Sequence, residues 1–408
     1  MTLEFHRLTD QVEQMGRALA AQKDDIDGKT ALALQIMEAY SDPAQLPYIL
    51  QRVQDAVDRD AGYRGARPID EPIMAAHAPA PLPVSATIIA ADGSQILPTT
   101  HGTALFYLIN IGTIIVSHGS GQPPQVISQP YLYFETADLF PADRGGPVGY
   151  ATVGARRTVA EMQALAEQGW LQRGEARPLL LLFDGPLLLP PMSVEVPDRD
   201  QLQAIYFSAM TRLLEVSAGL CGYVDRPHSK LVVHMLHLLD THEDAISRDS
   251  LSNDGRIEGL EDLQIFERLL RPGERTSLFI QMSPTNKEFR RKGGDPLEIV
   301  FFYLNAAGPG QPPRLSRVEI PMWVAQNRPL VAELHALIYH QCQQLMSRYP
   351  YALTRADELA VVKSEESRQL NMMIQVSMTR HGLETLESQK QTGKNIARSG
   401  KTRFKMGG

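Results

Sequence analysis

The run Pro178-Leu179-Leu180-Leu181-Leu182-Phe183 is apolar at every position and stops on Asp184-Gly185. A segment this short with no polar face reads as a strand covered on both sides, which implies a sheet between helices. The same design occurs earlier, in Ala86-Thr87-Ile88-Ile89-Ala90-Ala91 followed by Asp92-Gly93-Ser94. An aspartate at the exit of a buried strand is held by rigid backbone and faces the cleft beyond the sheet, where α/β proteins keep ligands and metals. Two such carboxylates on adjacent strands repel each other, and a shared divalent cation relieves the repulsion. Each Asp-Gly can also be simply a turn. The repetition, each time after a buried run, is what favours a metal site.

Outward from these two runs, the chain reads as strands, then helices, then strands again. Residues 1 to about 60 carry Leu8, Val12, Met15 and Leu19, and later Ile49, Val53 and Val57, at helical spacing. Pro72 to Pro83 is too rich in proline for a helix and is expected to be a linker. Val84 to Ala91 predicts a strand, Thr103 to Ser117 two strand pieces bent at Gly112, and Val126 to Phe134 a further strand. Helices are expected at Val159 to about Gln168, Gln201 to Ala218 and Leu231 to Leu239, with a strand at Leu220 to Asp225. Asp240 to Asp262 is acidic and aperiodic, as a surface insertion would be. Strands follow at Ser277 to Met282, Glu298 to Leu304 and Arg317 to Ile320, and closing helices at Pro329 to Arg348 and Ala356 to about Val376. The expected organisation is a helical region with its linker (1–83), an α/β domain (84–376) and a tail (377–408).

Composition excludes several classes. Of the 408 residues, 43% are hydrophobic and 21% charged, which is ordinary for a folded protein and not for a disordered one. No run reaches the length of a membrane span, and Met1 to His6 does not begin a secretory signal, so a cytoplasmic protein is expected. Cys221 and Cys342 lie far apart in sequence, outside any zinc spacing, and read as reduced thiols. With a net charge of −7, nucleic-acid contact would have to come from a local patch. One patch is the tail, where Lys390, Lys394, Arg398, Lys401, Arg403 and Lys405 follow Ser388 without an acid among them.

Two more acids bear on the site. Glu161 follows Arg156-Arg157-Thr158, and Asp357 follows Tyr349-Pro350-Tyr-Ala-Leu-Thr354. Thr158-x-x-Glu161 and Thr354-x-x-Asp357 both have capping-box spacing, and on residue chemistry alone both read as helix caps. Taken together, Asp92-Gly-Ser, Arg157-x-x-x-Glu161, Asp184-Gly-Pro-Leu and the Tyr349-Pro…Leu…Ala356 segment resemble, in this order, the NurA nuclease family from about Thr87 to Val362. That resemblance implies a ribonuclease-H-like fold: a mixed sheet with flanking helices, here with a helical N-terminal extension. It places Asp92, Glu161 and Asp184 on the family's acidic metal ligands and Tyr349 on its tyrosine. Where the family carries Ala-His, this chain has Ala356-Asp357; aspartate suits a hard ion such as Mn²⁺ or Mg²⁺. The resemblance further implies metal-dependent DNA cleavage, typically trimming 5′ ends, by a homodimer partnered with a HerA-type hexameric ATPase in break repair or phage defence. Arg157, Arg226, Ser229 and Lys230 are candidates for gripping phosphate, the alternative being a solvated surface and a cap. A clamp subunit that keeps the fold without cutting is the competing function, and Asp357 in place of histidine is its motive.

Three weaker signals are set aside. His234, His237 and His242 match no zinc pattern and no thiolate accompanies them. Ser399-Gly400-Lys401-Thr402 ends like a phosphate-binding loop, but Asn395 stands where that loop needs glycine. No Gly-x-Ser-x-Gly elbow supports an unrelated hydrolase.

Overall fold

Leucine and phenylalanine on both faces of one strand demand cover on both sides, and the structure supplies it. It is a computed structural model that describes residues 5–99, 104–140, 146–189, 192 and 196–383. In chain order the elements are α1 (Thr9–Ala39), α2 (Leu46–Arg59), β1 (Gly65–Pro68), β2 (Ala76–His77), β3 (Ala86–Ile96), β4 (Tyr107–His118), β5 (Gln125–Tyr133), α3 (Thr136–Leu139) and α4 (Tyr150–Leu171). There follow β6 (Leu179–Asp184), α5 (Arg199–Glu215), β7 (Gly219–Asp225), α6 (Leu231–Asp240), α7 (Asp262–Leu269), β8 (Arg275–Thr276), β9 (Phe279–Met282) and α8 (Pro284–Gly293). The chain continues through β10 (Ile299–Asn305), β11 (Leu315–Pro321), α9 (Met322–Ala325), α10 (Arg328–Gln343), α11 (Tyr351–Ala360) and α12 (Ser364–Arg380).

The strands form one mixed sheet in the order β1-β9-β10-β11-β7-β6-β3-β4-β5, with β2 and β8 at its margin. β3, β4 and β5 are an antiparallel meander, while β6 runs parallel to β3 and β7 parallel to β6. This meander with two parallel strands beside its first member is the ribonuclease-H-like arrangement expected above. Side-chain alternation divides the core. Ile89, Ala91, Leu181 and Phe183 pack under α4 and α5; Ile88, Ala90, Leu180 and Leu182 pack under α10 and α11. Cys221 and Cys342 are buried and unpaired, as expected. Among the described residues no helix is long and apolar enough to cross a membrane.

Several elements differ from expectation. β4 runs unbroken through Gly112, which pairs with Asp92 without a bend. The reason for glycine is contact: a Cβ there would stand 2.5 Å from both Ala356 O and Ala360 N of α11. The residues between the N-terminal helices and Val84 are not only linker, because β1 pairs with β9 and β2 with β8. α1 and α2 bury Met37, Ile49 and Val53 against Val232, Leu236 and Phe266 of α6 and α7. The acidic stretch after α6 buries Ile246, Ile257 and Leu260 in that same core, so it is less superficial than its charge suggests. The expected helix at Ala356–Val376 is two helices, α11 and α12, separated at residues 361–363. The basic residues after Ser388 and the Ser399–Thr402 signal lie outside the described residues, as does Thr103.

Candidate metal centre

β3 and β6 run parallel in a register that pairs Ala91 with Phe183, so the next residues, Asp92 and Asp184, stand side by side. Neighbouring strands are roughly 4.8 Å apart. Both aspartates share the face of Ala90 and Leu182, the face covered by α11. The two Asp-Gly pairs are nevertheless not alike. Gly185 ends its strand with φ +109, whereas Asp92-Gly93 lies inside β3, which continues to Ile96. Gly93 is no turn residue. A Cβ on it would come within 2.6 Å of Glu161 Oε1 and 2.8 Å of Arg157 Cγ, so the bare strand makes room for two side chains of α4.

That approach corrects the cap reading of Glu161. α4 begins at Tyr150 after the N-cap residue Gly149, and Thr158 and Glu161 lie well inside it. Glu161 is buried, 4% exposed, yet its Oε1 accepts no hydrogen bond; Arg157 Nε stands 3.1 Å away. An interior carboxyl with one oxygen free of hydrogen bonds keeps an acceptor open for a further partner. Asp357 is not a cap either: α11 starts after Pro350, and Thr354 Oγ1 donates to Pro350 O at 3.3 Å. Asp357 is solvent-exposed on this helix. The tyrosine just before the helix, Tyr349, donates its hydroxyl to Asp184 Oδ1 at 2.5 Å. Ser94 and Asn110, on β3 and β4, donate to Ala360 O and fasten the end of α11 to the sheet.

The acids feel one another. Burial, then the charges of Asp184 and Asp357, push the Asp92 carboxyl up to about 6. Burial pushes Glu161 up to about 8, with Asp92 and Asp184 adding to the rise and Arg157 opposing it. Asp184 is raised too, by burial and by Asp357, against the lowering effect of the Tyr349 hydroxyl. The Tyr349 phenol is held protonated by burial and by the carboxylate it serves. Among the described residues no three His, Cys, Asp or Glu side chains stand together closely enough to hold an ion. Their hard oxygens suit Mn²⁺ or Mg²⁺ rather than a soft metal.

Of the phosphate-binding candidates, only Arg157 joins this group. Ser229 is buried and donates to Asp262 Oδ2 at 3.1 Å, and Lys230 pairs with Asp254 at 2.8 Å; both serve the start of α6. Arg226 is exposed at the end of β7 beside Glu267. Sequence reading passed over Asp225. It ends β7 on the same face as Asp92 and Asp184, pairs with Arg314 at 2.9 Å, and raises Asp184. The signal was present, a buried strand ending in Asp, but Arg226-Pro227 follows it instead of glycine. The histidines set aside above stay structural: His234 binds Arg64 O and Asp254, and His237 binds Ser250 O.

A mixed sheet that delivers in-register aspartates from parallel strands, with a glutamate reaching in from a covering helix, defines an α/β protein with an acidic centre suited to a divalent cation. The NurA domain matches residues 86–362, well over half of the chain, and the chain belongs to the NurA family. A search of curated proteins finds no match. Among solved structures, the chain is similar to the NurA nuclease from Sulfolobus solfataricus, at 14% identity over 82% of this chain and 92% of that one, with a TM-score of 0.46. It is also similar to NurA with manganese (11% identity, 87% and 98% covered, TM-score 0.33). A third is the catalytic domain of human endonuclease V (13% identity, 67% and 80% covered, TM-score 0.31).

Proposed function

We propose that this chain is a divalent-cation-dependent deoxyribonuclease, a hydrolase of phosphodiester bonds acting as a 5′-to-3′ exonuclease, a single-strand endonuclease or both. Asp92, Glu161, Asp184 and Asp357 would hold Mn²⁺ or Mg²⁺. The observation that carries this reading is the side-by-side placement of Asp92 and Asp184, with buried Glu161, one oxygen free of hydrogen bonds, reaching over Gly93. When bound, the cation would supply charge neutralisation and Lewis-acid activation for water attack and departure of the leaving oxygen. The protein's own part is to prepare the place. Tyr349 orients Asp184 through its hydroxyl. Glu161 keeps its proton near neutral pH in the metal-free protein and gives it up on cation binding, as deprotonated ligands require. Arg157, beside Glu161, offers a positive charge to a phosphate at the same edge.

We further propose DNA as the substrate, a second copy of this chain and a HerA-type ATPase as partners, and a place in end resection, repair or phage defence in the cytoplasm. The competing reading, a non-cutting clamp subunit, has in its favour the exposed Asp357 where the family carries histidine. A labelled DNA duplex incubated with Mn²⁺ separates the two. Cutting by the wild type, abolished by chelation and reduced at least about 100-fold in Asp92→Asn and in Asp184→Asn, is expected, since each removes a charge meant for the cation. A wild type inert with Mn²⁺ and its ATPase partner present would establish the clamp instead.

A further inference from the structure

The loop that leaves Asp184 is tied down from an unexpected direction. Glu319, in the middle of β11, has no exposed surface. Its Oε2 accepts from the backbone N–H of Leu187 at 2.8 Å and of Leu188 at 3.4 Å, while Oε1 pairs with Arg317 at 2.7 Å. Glu319 pairs in register with Gly222 on β7. A Cβ on Gly222 would come within 2.6 Å of Gly185 O and 3.1 Å of Leu187 N, so the missing side chain is what lets the loop fold across β7 to reach the glutamate. Two further bonds complete the tether: Gly185 N–H donates to Tyr223 O at 3.0 Å, and the Tyr206 hydroxyl donates to Leu187 O at 2.9 Å. The loop starting at Asp184 is therefore fixed at both sides of one peptide, by a strand and by α5.

We propose that Glu319 is a positioning residue for the acidic centre, its buried carboxylate fixing the loop after β6 and through it the place of Asp184. Arg317 compensates the charge of this fully buried carboxylate, and the two loop amides bond its Oε2. Asp184 is the last residue of its strand, paired with Tyr223 of β7 and followed by a glycine with positive φ, so beyond Gly185 the loop depends on side-chain tethers. Freed from Glu319, the loop would let Asp184 drift relative to Asp92 and break its match with the Tyr349 hydroxyl. The inference rests on Asp184 acting as a metal ligand.

Glu319→Gln keeps an oxygen for the two amides, whereas Glu319→Met fills similar space and offers none. Metal-free protein titrated with Mn²⁺ and followed by electron paramagnetic resonance should show Glu319→Met binding about 10–100-fold more weakly, as loss of a ligand-orienting partner typically does. Glu319→Gln should stay close to the wild-type affinity. Tyr206→Phe keeps the ring, removes the other tether, and should weaken binding severalfold even where Glu319→Met proves too unstable to purify. Hydrogen exchange of the Gly185, Leu187 and Leu188 amides in metal-free protein reads the tether directly: faster in Glu319→Met, unchanged in Glu319→Gln. Unaltered exchange, or a Met variant that melts lower yet binds Mn²⁺ as the wild type does, overturns the proposal. A wild type that neither binds Mn²⁺ nor cuts DNA, with exchange behaving as expected, would remove the metal reading and leave the tether a purely structural one.

Discussion

Glu161 holds a carboxyl that water would ionise in a place where ionisation is disfavoured. Its pKa is raised from 4.5 to about 8, and that of Asp92 from 3.8 to about 6, mainly by burial and by neighbouring acids. A folded-state pKa above the unfolded value means the native state binds more protons between the two, so stability falls as pH rises through that window. The metal-free protein is expected to lose stability from about pH 5 to about pH 8, by an amount on the order of a few kcal/mol. Glu161→Gln should remove most of that slope and raise the melting temperature at pH 8; saturating Mn²⁺ should flatten it in the wild type, because the cation favours the ionised form. Thermal melts across this range check it, and a metal-free wild type equally stable at pH 5 and pH 8 would contradict it. The acid itself was legible in the sequence; its setting was not. Thr158-x-x-Glu161 is the same four-residue signature whether a helix starts there or passes through, and only the upstream start at Tyr150 tells the two apart. Glu319 left no signal at all, since one polar residue in an alternating strand looks solvent-facing until its neighbours are known.

Elements explain why glycine recurs around the site. Gly93 and Gly112 both sit in the meander and both read locally as turn or bulge residues. In the structure each marks a close approach by a helix distant in sequence, information that no local window contains. The two approaches differ in kind, and that gives a contrast to measure. At Gly112 the obstruction is backbone of α11, at 2.5 Å, and backbone cannot swing aside. Gly112→Ala should therefore push α11 off the sheet and cost about 1–3 kcal/mol, the usual price of overpacking. At Gly93 the obstruction is the end of Glu161 and the stem of Arg157, which can move. Gly93→Ala should fold with nearly wild-type stability and still lose most of its Mn²⁺-dependent cutting, because the displaced carboxyl is one of those proposed to hold the cation. Urea melts paired with cutting assays separate stability from function. Full activity in a stable Gly93→Ala protein would remove Glu161 from the centre. The runs that announced β3 and β6 were legible because continuous apolarity records burial on both faces, which is a property of the strand itself.

Across the whole molecule the sheet divides its labour. β6 and β7 end on Asp184 and Asp225 and β3 carries Asp92 within its length, while β1, β9 and β10 are backed by the N-terminal helices. The helical character of residues 1–60 was legible from spacing, but their docking was not: Arg52 donates to Leu238 O at 2.7 Å and Tyr40 to Leu239 O at 3.2 Å, bonds to backbone that a sequence cannot display. Docking is also uneven. The first part of α1 leaves Val12, Met15 and Leu19 more than half exposed, whereas Met37 and Ile49 are almost wholly buried against α6. Helical spacing is the same in both stretches, so periodicity alone gives them equal weight and burial does not. Ile49→Ala should accordingly cost about 2–5 kcal/mol, and Val12→Ala less than about 0.5 kcal/mol. Because the helices brace the half of the sheet that lacks the acids, Ile49→Ala should lower the midpoint of urea unfolding and leave the rate of cutting per folded molecule unchanged well below its melting temperature. A cutting rate that falls in step with stability would mean that the N-terminal layer helps to shape the acidic edge, and that the two halves of the sheet work as a single unit.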